Sequence, residues 1–235
     1  MKGIILAGGS ATRLRPLTLV TSKQLLPVYN KPMIFYPLNT LLNAGIKEIL
    51  IIIAPEYAGH FLHLLGSGKE FGAKFTYEIQ EKPKGLADAF IIGEDFMDND
   101  SVSMILGDNI FGCDVSEDIK SFKSGGRVFA KKVPDPQRYG VVKFDANNKA
   151  VEIKEKPQEW ISDYAVIGLY IYDKRVCQFA KEVKPSARGE LEIVDLHNKY
   201  LNLGELDVRT INGEWFDAGT FDSLLAAGNF ISKNQ

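Results

Sequence analysis

Apolar positions along the chain fall into two regimes. In the first, unbroken apolar runs alternate with stretches of helical period. Lys2 to Ala7 (KGIILA) runs into Gly8-Gly9, a helical pattern covers about Met33 to Ala44 and stops at Gly45, and Glu48 to Ile53 (EILIII) returns as a second apolar run. The pattern continues with a helix near Ala58 to Leu65, a strand at Phe75 to Ile79, a helix from Leu86 to Phe96 and a strand at Val102 to Leu106. Strands apolar on both faces call for a parallel sheet covered by helices, with ligands at the carboxyl ends of the strands.

Beyond Gly125 the second regime begins, with strands punctuated by turn residues. Arg127 to Lys132, Gly140 to Phe144, Val151 to Glu155 and Ala165 to Tyr172 predict strands of mixed pairing. Helices at Arg175 to Lys181 and Ile193 to Leu201, a strand at Leu206 to Ile211 and a helix near Phe221 to Ile231 complete the pattern. No internal repeat or long linker divides the chain, so the expectation is one α/β domain: a Rossmann-like, mixed and mostly parallel sheet flanked by helices, with a smaller β lobe.

Composition narrows the partners. The 235 residues are 45% hydrophobic, enough for a continuous core, and the formal net charge of −2 suggests neither nucleic acid nor an anionic membrane. The first 47 residues, however, carry Lys2, Arg13, Arg15, Lys23, Lys31 and Lys47 and no acid, a local cationic field that suits a small polyanion. The longest wholly apolar run, Ile49 to Ala54, is far short of a membrane span, and Met1-Lys2-Gly3 leads straight into a strand, so the expected location is the cytoplasm. Cys113 and Cys177 are too far apart for a CxxC site and are expected to be reduced packing residues.

Between Ala7 and Pro32 the loop reads GGSATRLRPLTLVTSKQLLPVYNKP. Small residues leave backbone N–H groups able to approach phosphate oxygens, and Arg13 and Lys23 add fixed charge. It is neither a Walker A loop nor a GxGxxG fingerprint. Gly8-Gly9 alone would also serve as a tight turn. Asp108 follows an apolar strand across Gly107, which puts its carboxylate at a strand's carboxyl end. Asp217 in WFDAGT precedes a helix that either it or Thr220 can cap. Two carboxylates from distant segments suit Mg²⁺, which takes oxygen ligands and completes its shell with phosphate and water. The remaining carboxylates of the acidic segment Asp98 to Asp118 read as solvated loop charges. His60 and His63 could share a helical face, but they and His197 lack partners at zinc spacing.

The string GGSATRLRPLT, followed by Lys23, Leu26-Pro27-Val28 and Lys31-Pro32-Met33-Ile34, resembles the sugar-phosphate nucleotidylyltransferases, and within them the glucose-1-phosphate thymidylyltransferases. The likeness extends through Gly107-Asp108-Asn109, Arg138-Tyr139-Gly140-Val141, Glu155-Lys156-Pro157, Tyr164-Ala165-Val166, Arg188-Gly189-Glu190-Leu191-Glu192 and Trp215-Phe216-Asp217-Ala218-Gly219-Thr220.

The resemblance implies a nucleotidyltransferase fold with a nucleotide-binding part at about 1–125 and a sugar-binding, closing part at about 126–235. It implies transfer of a deoxythymidylyl group from dTTP to glucose 1-phosphate with Mg²⁺ on Asp108 and Asp217, and catalysis by Arg13 and Lys23. The nucleotide would be bound by Leu6, Gly8, Gly9, Ser10, Ala11, Thr12, Arg13, Gln24, Gln80, Pro83, Gly85 and Asp108. Gln80 would read the pyrimidine edge, since an amide offers both donor and acceptor. Gly140, Glu155 and Val166 would hold the hexose, with Lys156 and Arg188 on its phosphate. A homotetramer serving nucleotide-sugar synthesis for rhamnose-type polysaccharide is implied as well.

Ala11, Asp88, Asp163 and Ile167 depart from the family's usual glycine, glutamine, asparagine and threonine, and the chain resembles the short form, without a helical C-terminal extension. Uridylyl transfer from UTP to glucose 1-phosphate or a related hexose 1-phosphate, and a non-catalytic nucleotide-sugar sensor or assembly subunit of the same fold, are the competing readings. A sensor would be expected to have lost Arg13, Lys23, Asp108 or Asp217.

Overall fold

A computed structural model of the chain describes residues 1–9 and 11–234, so Ser10 of the glycine loop lies outside the described residues. In chain order the elements are β1 (Lys2–Ala7), β2 (Pro27–Val28), β3 (Lys31–Pro32), α1 (Phe35–Asn43), β4 (Glu48–Ile53), α2 (Ala58–Leu65) and β5 (Lys74–Ile79). Then come α3 (Asp88–Ile92), α4 (Glu94–Met97), β6 (Val102–Leu106), β7 (Asn109–Phe111) and α5 (Ser116–Lys120). The rest are β8 (Gly126–Lys132), β9 (Gly140–Phe144), β10 (Ala150–Glu155), β11 (Tyr164–Tyr172), α6 (Val176–Glu182), α7 (Ile193–Asn202), β12 (Leu206–Thr210), β13 (Trp215–Asp217) and α8 (Phe221–Lys233). The α/β class expected from the hydrophobic pattern is the one observed.

These elements gather into two compact units interleaved along the chain. The first holds Lys2–Pro83, Ile105–Lys120 and Gly213–Gln235; the second holds Met1, Lys84–Met104 and Ser121–Asn212.

In the first unit β4 pairs in parallel with β1 on one side and with β5 on the other. Ile4, Ile5 and Ile49 through Ile53 are fully buried, which is why both strands read as unbroken apolar runs. A second cluster of Val28, Met33, Ile110, Ala218 and Ala227 packs with Phe216, Leu224 and Ile231, fixing the short ribbon β7–β13 against α8. Thr220 caps α8 through a capping box with Ser223, so Asp217 is not needed as the cap.

The second unit is built on an antiparallel run in which β10 pairs with β9, β9 with β11 and β11 with β8, while β12 joins β8 in parallel. The helix expected over Leu86 to Phe96 is instead α3 and α4, interrupted at Gly93, whose backbone leaves the helical region. Helix α7 buries Ile193, Val194, Leu196, His197 and Tyr200, an apolar stripe at helical spacing. His197 is held at Nδ1 by the Tyr172 hydroxyl at 2.7 Å and lies against the Tyr170 and Tyr172 rings, with Tyr200 stacked on Tyr172 in turn. Burial lowers its pKa from 6.5 to about 3, so it is neutral at physiological pH. Among the described residues no helix is long and apolar enough to cross a membrane.

Candidate active site

The glycine loop leaves the carboxyl end of β1. Gly9 takes a positive φ of 97°, and Ala11 is left-handed at φ 45°, ψ 37°, a conformation costing a non-glycine residue about 1–2 kcal/mol. The family's glycine at this position would relieve that strain, but the backbone keeps its course without it. Two local bonds hold Ala11 there, since its carbonyl accepts from the Thr18 hydroxyl at 2.8 Å and from the Leu14 N–H at 3.2 Å. Thr12 and Arg13 then enter a short 3₁₀ turn, and Lys23 and Gln24 open another.

Gln80 lies beside the loop: a methyl on Gly8 would meet its Oε1 at 2.9 Å. At the end of β6, the Gly107 N–H donates to the Leu6 carbonyl at 2.9 Å. A methyl on Gly107 would stand 2.9 Å from Gln24 Cγ and 3.1 Å from the Leu6 oxygen, so only glycine lets the segments approach this closely. Leu6 and Gln24 therefore lie against Gly107, the residue before Asp108, and Gln80 lies against Gly8.

Asp108 is 9% exposed, and both its oxygens are engaged. Oδ2 is paired with the Lys23 ammonium, and Oδ1 accepts from Asn109 Nδ2 at 3.0 Å. Burial pushes the carboxyl's pKa up, but the Lys23 charge and the hydrogen bonds from Lys23 and Asn109 outweigh it and hold the group below the usual 3.8. It is therefore a carboxylate at any physiological pH.

Asp217 reaches the same place through the β7–β13 ribbon. It stands opposite Asn109 in register, and the N–H of the next residue, Ala218, donates to the Asp108 carbonyl at 3.0 Å. Arg13 joins from the glycine loop. A methyl on Gly219 would sit 2.7 Å from Arg13 Nη2 and 3.0 Å from Asp217 Oδ1, so Gly219 leaves room for this guanidinium and carboxylate. Among the described residues no three His, Cys, Asp or Glu side chains form a metal cage. A divalent ion here would take two carboxylates from the protein and its other ligands from phosphate and water, as Mg²⁺ commonly does. The Lys23 ammonium on Asp108 is a stand-in cation, evidence that the electrostatics of this corner suit positive charge.

In the second unit Glu155, Gly140 and Val166 form one row across β10, β9 and β11, with Gly140 directly opposite both of the others. A methyl on Gly140 would lie 3.5 Å from Glu155 Oε2 and 3.9 Å from Val166 Cβ. Lys156 Nζ stands 3.5 Å from Glu155 Oε1, and Arg188 Nη2 stands 3.4 Å from the same oxygen. Arg188 belongs to the loop before α7 rather than to a helix, and it is anchored by Glu192 at 2.8 Å. Burial raises the Glu155 pKa above the usual 4.5; the nearby Glu192 carboxylate adds to that rise, and the Lys156 and Arg188 charges offset it only in part.

Gly85 (φ 102°) also belongs to the second unit. Any side chain there would overlap the Leu191 backbone, and the Lys84 carbonyl accepts from the Leu191 N–H at 2.7 Å, so packing alone requires this glycine. Asp88 is buried at the start of α3, and Pro83 closes the first unit's long opening segment. His60 and His63 lie exposed on α2. Two residues with clear work here, Asn109 and Glu192, have no spacing signal that distinguishes them in sequence. Asn109 ties Asp108 to Trp215, accepting from the indole N–H at 2.8 Å, and Glu192 orients Arg188.

Residues 2–234 match the family model described as Nucleotidyl transferase. The chain belongs to the nucleotidyl transferase family. It is 54% identical to a glucose-1-phosphate thymidylyltransferase of Neisseria meningitidis over 241 residues, covering 100% of this chain and 84% of the relative. It is 52% identical to a Mycolicibacterium smegmatis protein of the same name, covering 98% and 82%. Among solved structures, a proposed glucose-1-phosphate thymidylyltransferase from Bacillus anthracis in complex with a sucrose superposes with a TM-score of 0.92 at 48% identity, covering 97% of this chain and 94% of that one. A UDP-glucose pyrophosphorylase complexed with UDP-glucose gives a TM-score of 0.89 at 23% identity over 100% of this chain and 99% of its own, a likeness of fold alone.

Proposed function

We propose that this chain is a glucose-1-phosphate thymidylyltransferase, joining dTTP to α-D-glucose 1-phosphate to give dTDP-glucose and pyrophosphate. The observation that carries the chemistry is the convergence of Lys23, Arg13, Asp108 and Asp217 from three separate chain segments onto one corner of the first unit. The choice of dTTP and glucose 1-phosphate is supported by relatives of that name that match nearly the whole chain.

In this reading, backbone N–H groups of the glycine loop, Arg13 and Lys23 bind the triphosphate, with Lys23 exchanging Asp108 for a phosphate oxygen. Gln80 and the Gly85 backbone meet the pyrimidine. Glu155 accepts from hexose hydroxyls beside Gly140 and Val166, while Lys156 and Arg188 hold the sugar's phosphate. An oxygen of that phosphate forms a bond to the α-phosphorus as the bond to the pyrophosphate oxygen breaks. No protein nucleophile takes part, and positioning with charge stabilisation supplies the acceleration. Asp108 and Asp217 would hold Mg²⁺, which when bound neutralises charge on the phosphates. Cytoplasmic location and assembly as a homotetramer complete the proposal.

The test is pyrophosphate release by the purified chain with dTTP, UTP and dCTP against glucose, galactose and mannose 1-phosphates. The reading expects dTTP with glucose 1-phosphate to give the highest kcat/KM. A preference for UTP would replace it with uridylyl transfer.

A further inference from the structure

The antiparallel sheet of the second unit carries another cavity, of about 770 Å³, walled by Phe144, Glu152, Lys154, Pro157, Trp160 and Tyr164. Trp160 is 74% exposed. An indole left in water forgoes the large burial gain available to it, so an indole that is both exposed and fixed calls for an explanation.

Trp160 is fixed. Its Nε1–H donates to Asp163 Oδ1 at 3.2 Å, while Asp163 pairs with Lys132 at 3.1 Å and accepts at its carbonyl from the Val133 N–H at 3.0 Å. Ser162 ties the same loop to the Val142 carbonyl through its hydroxyl, and accepts from the Tyr164 N–H at 3.1 Å. The indole's polar group is thus occupied, and among the described residues no aromatic or cationic partner stacks on its ring. Phe144 and Tyr164, edge to face at 5.3 Å, supply further aromatic surface.

Charge decides what such a platform can hold. Lys143 and Lys154 are balanced by Glu152 and Glu159, and Lys154 already pairs with Glu152 at 2.6 Å. A nucleotide or sugar phosphate needs surplus positive charge, which this cavity withholds. A neutral sugar needs what it offers: an aromatic face for the C–H side of a pyranose, and a rim of mixed donors and acceptors for hydroxyls.

We infer that the Trp160 cavity is a binding site for a neutral sugar of one or two pyranose rings, separate from the row of Gly140, Glu155 and Val166. The inference does not depend on the reaction assigned to the chain.

The test uses the full chain with maltose and, separately, methyl α-D-glucopyranoside, neither of which carries phosphate. Binding is read by saturation-transfer NMR on the sugar protons. Saturable transfer is expected in the wild type, at least tenfold weaker in Trp160→Ala, and within about threefold of wild type in Trp160→Phe, which keeps an aromatic face. Glu155→Gln should leave it unchanged, and excess glucose 1-phosphate should not displace it. Four results would overturn the inference: no saturable transfer in the wild type; transfer unaffected in Trp160→Ala; displacement by glucose 1-phosphate; or a Trp160→Ala variant that changes mass in sedimentation while neither sugar binds the wild type. The last would assign the face to contact between copies of the chain.

Discussion

The carboxylate corner of the first unit and the Glu155 row of the second meet the same difficulty, an acid withdrawn from water, fully at Asp108 and partly at Glu155, and resolve it differently. Asp108 has a cation in direct contact and an amide on its other oxygen, and its pKa falls despite burial. Glu155 has two cations at 3.4–3.5 Å and a competing carboxylate, Glu192, and its pKa rises. Contact and hydrogen bonding, more than the number of cations nearby, decide whether burial is offset. Asp108 is thus kept anionic, as the proposed metal ligand would have to be, while Glu155 is disfavoured in its charged form and, in the proposed function, would gain from hydroxyl donors.

The strongest way to break this contrast is to remove the contact cation. Lys23→Met should lower kcat for pyrophosphate release by about 10²- to 10⁴-fold, since in the proposed reaction its charge would stabilise the departing phosphates, while circular dichroism remains native. An unaltered kcat would separate Lys23 from the chemistry.

Glu155→Gln tests the other side. The KM for glucose 1-phosphate should rise about tenfold or more, with the KM for dTTP little changed. Stability should shift oppositely. An acid whose folded pKa is raised disfavours the fold above that pKa and not below its unfolded value of 4.5, so the variant should be more stable than the wild type at pH 8 and gain nothing at pH 4. Denaturant melts at the two pH values measure it.

His197 sharpens the comparison as a buried base with no counter-charge at all. Its folded pKa of about 3 lies below the unfolded 6.5, so the unfolded chain binds the proton first and stability is lost as pH falls through that window. Between pH 6.5 and 5 this amounts to about 2 kcal/mol, and His197→Gln should flatten the acid limb of urea unfolding by that amount. The smallest expected effect is at Ala11. Replacing it with glycine relieves left-handed strain but loosens the unfolded chain, for a net gain of about 0.5 kcal/mol in the same assay.

How far each region was legible in sequence follows the same division. Strands β1, β4 and β6 and helix α2 have the limits their apolar runs or periodicity predict, because burial on both faces, or on one helical face, writes a continuous signal. The ribbon β7–β13 was invisible: three residues a side, formed by pairing about a hundred positions apart, leave no local period. Yet that ribbon brings Asp217 to Asp108. The row of Glu155, Gly140 and Val166 depends likewise on strand register, which no single segment encodes. Gly85 has a packing role that its spacing does not announce, since its missing side chain makes room for the Leu191 backbone.

The most direct measurement mixes the purified chain with [α-³²P]dTTP and Mg²⁺, with and without glucose 1-phosphate, and counts label in sugar nucleotide against pyrophosphate released. The account predicts one dTDP-glucose for each pyrophosphate, and neither product when glucose 1-phosphate or Mg²⁺ is left out. Pyrophosphate released at the same rate without the sugar phosphate, or no label in sugar nucleotide when everything is present, would contradict it.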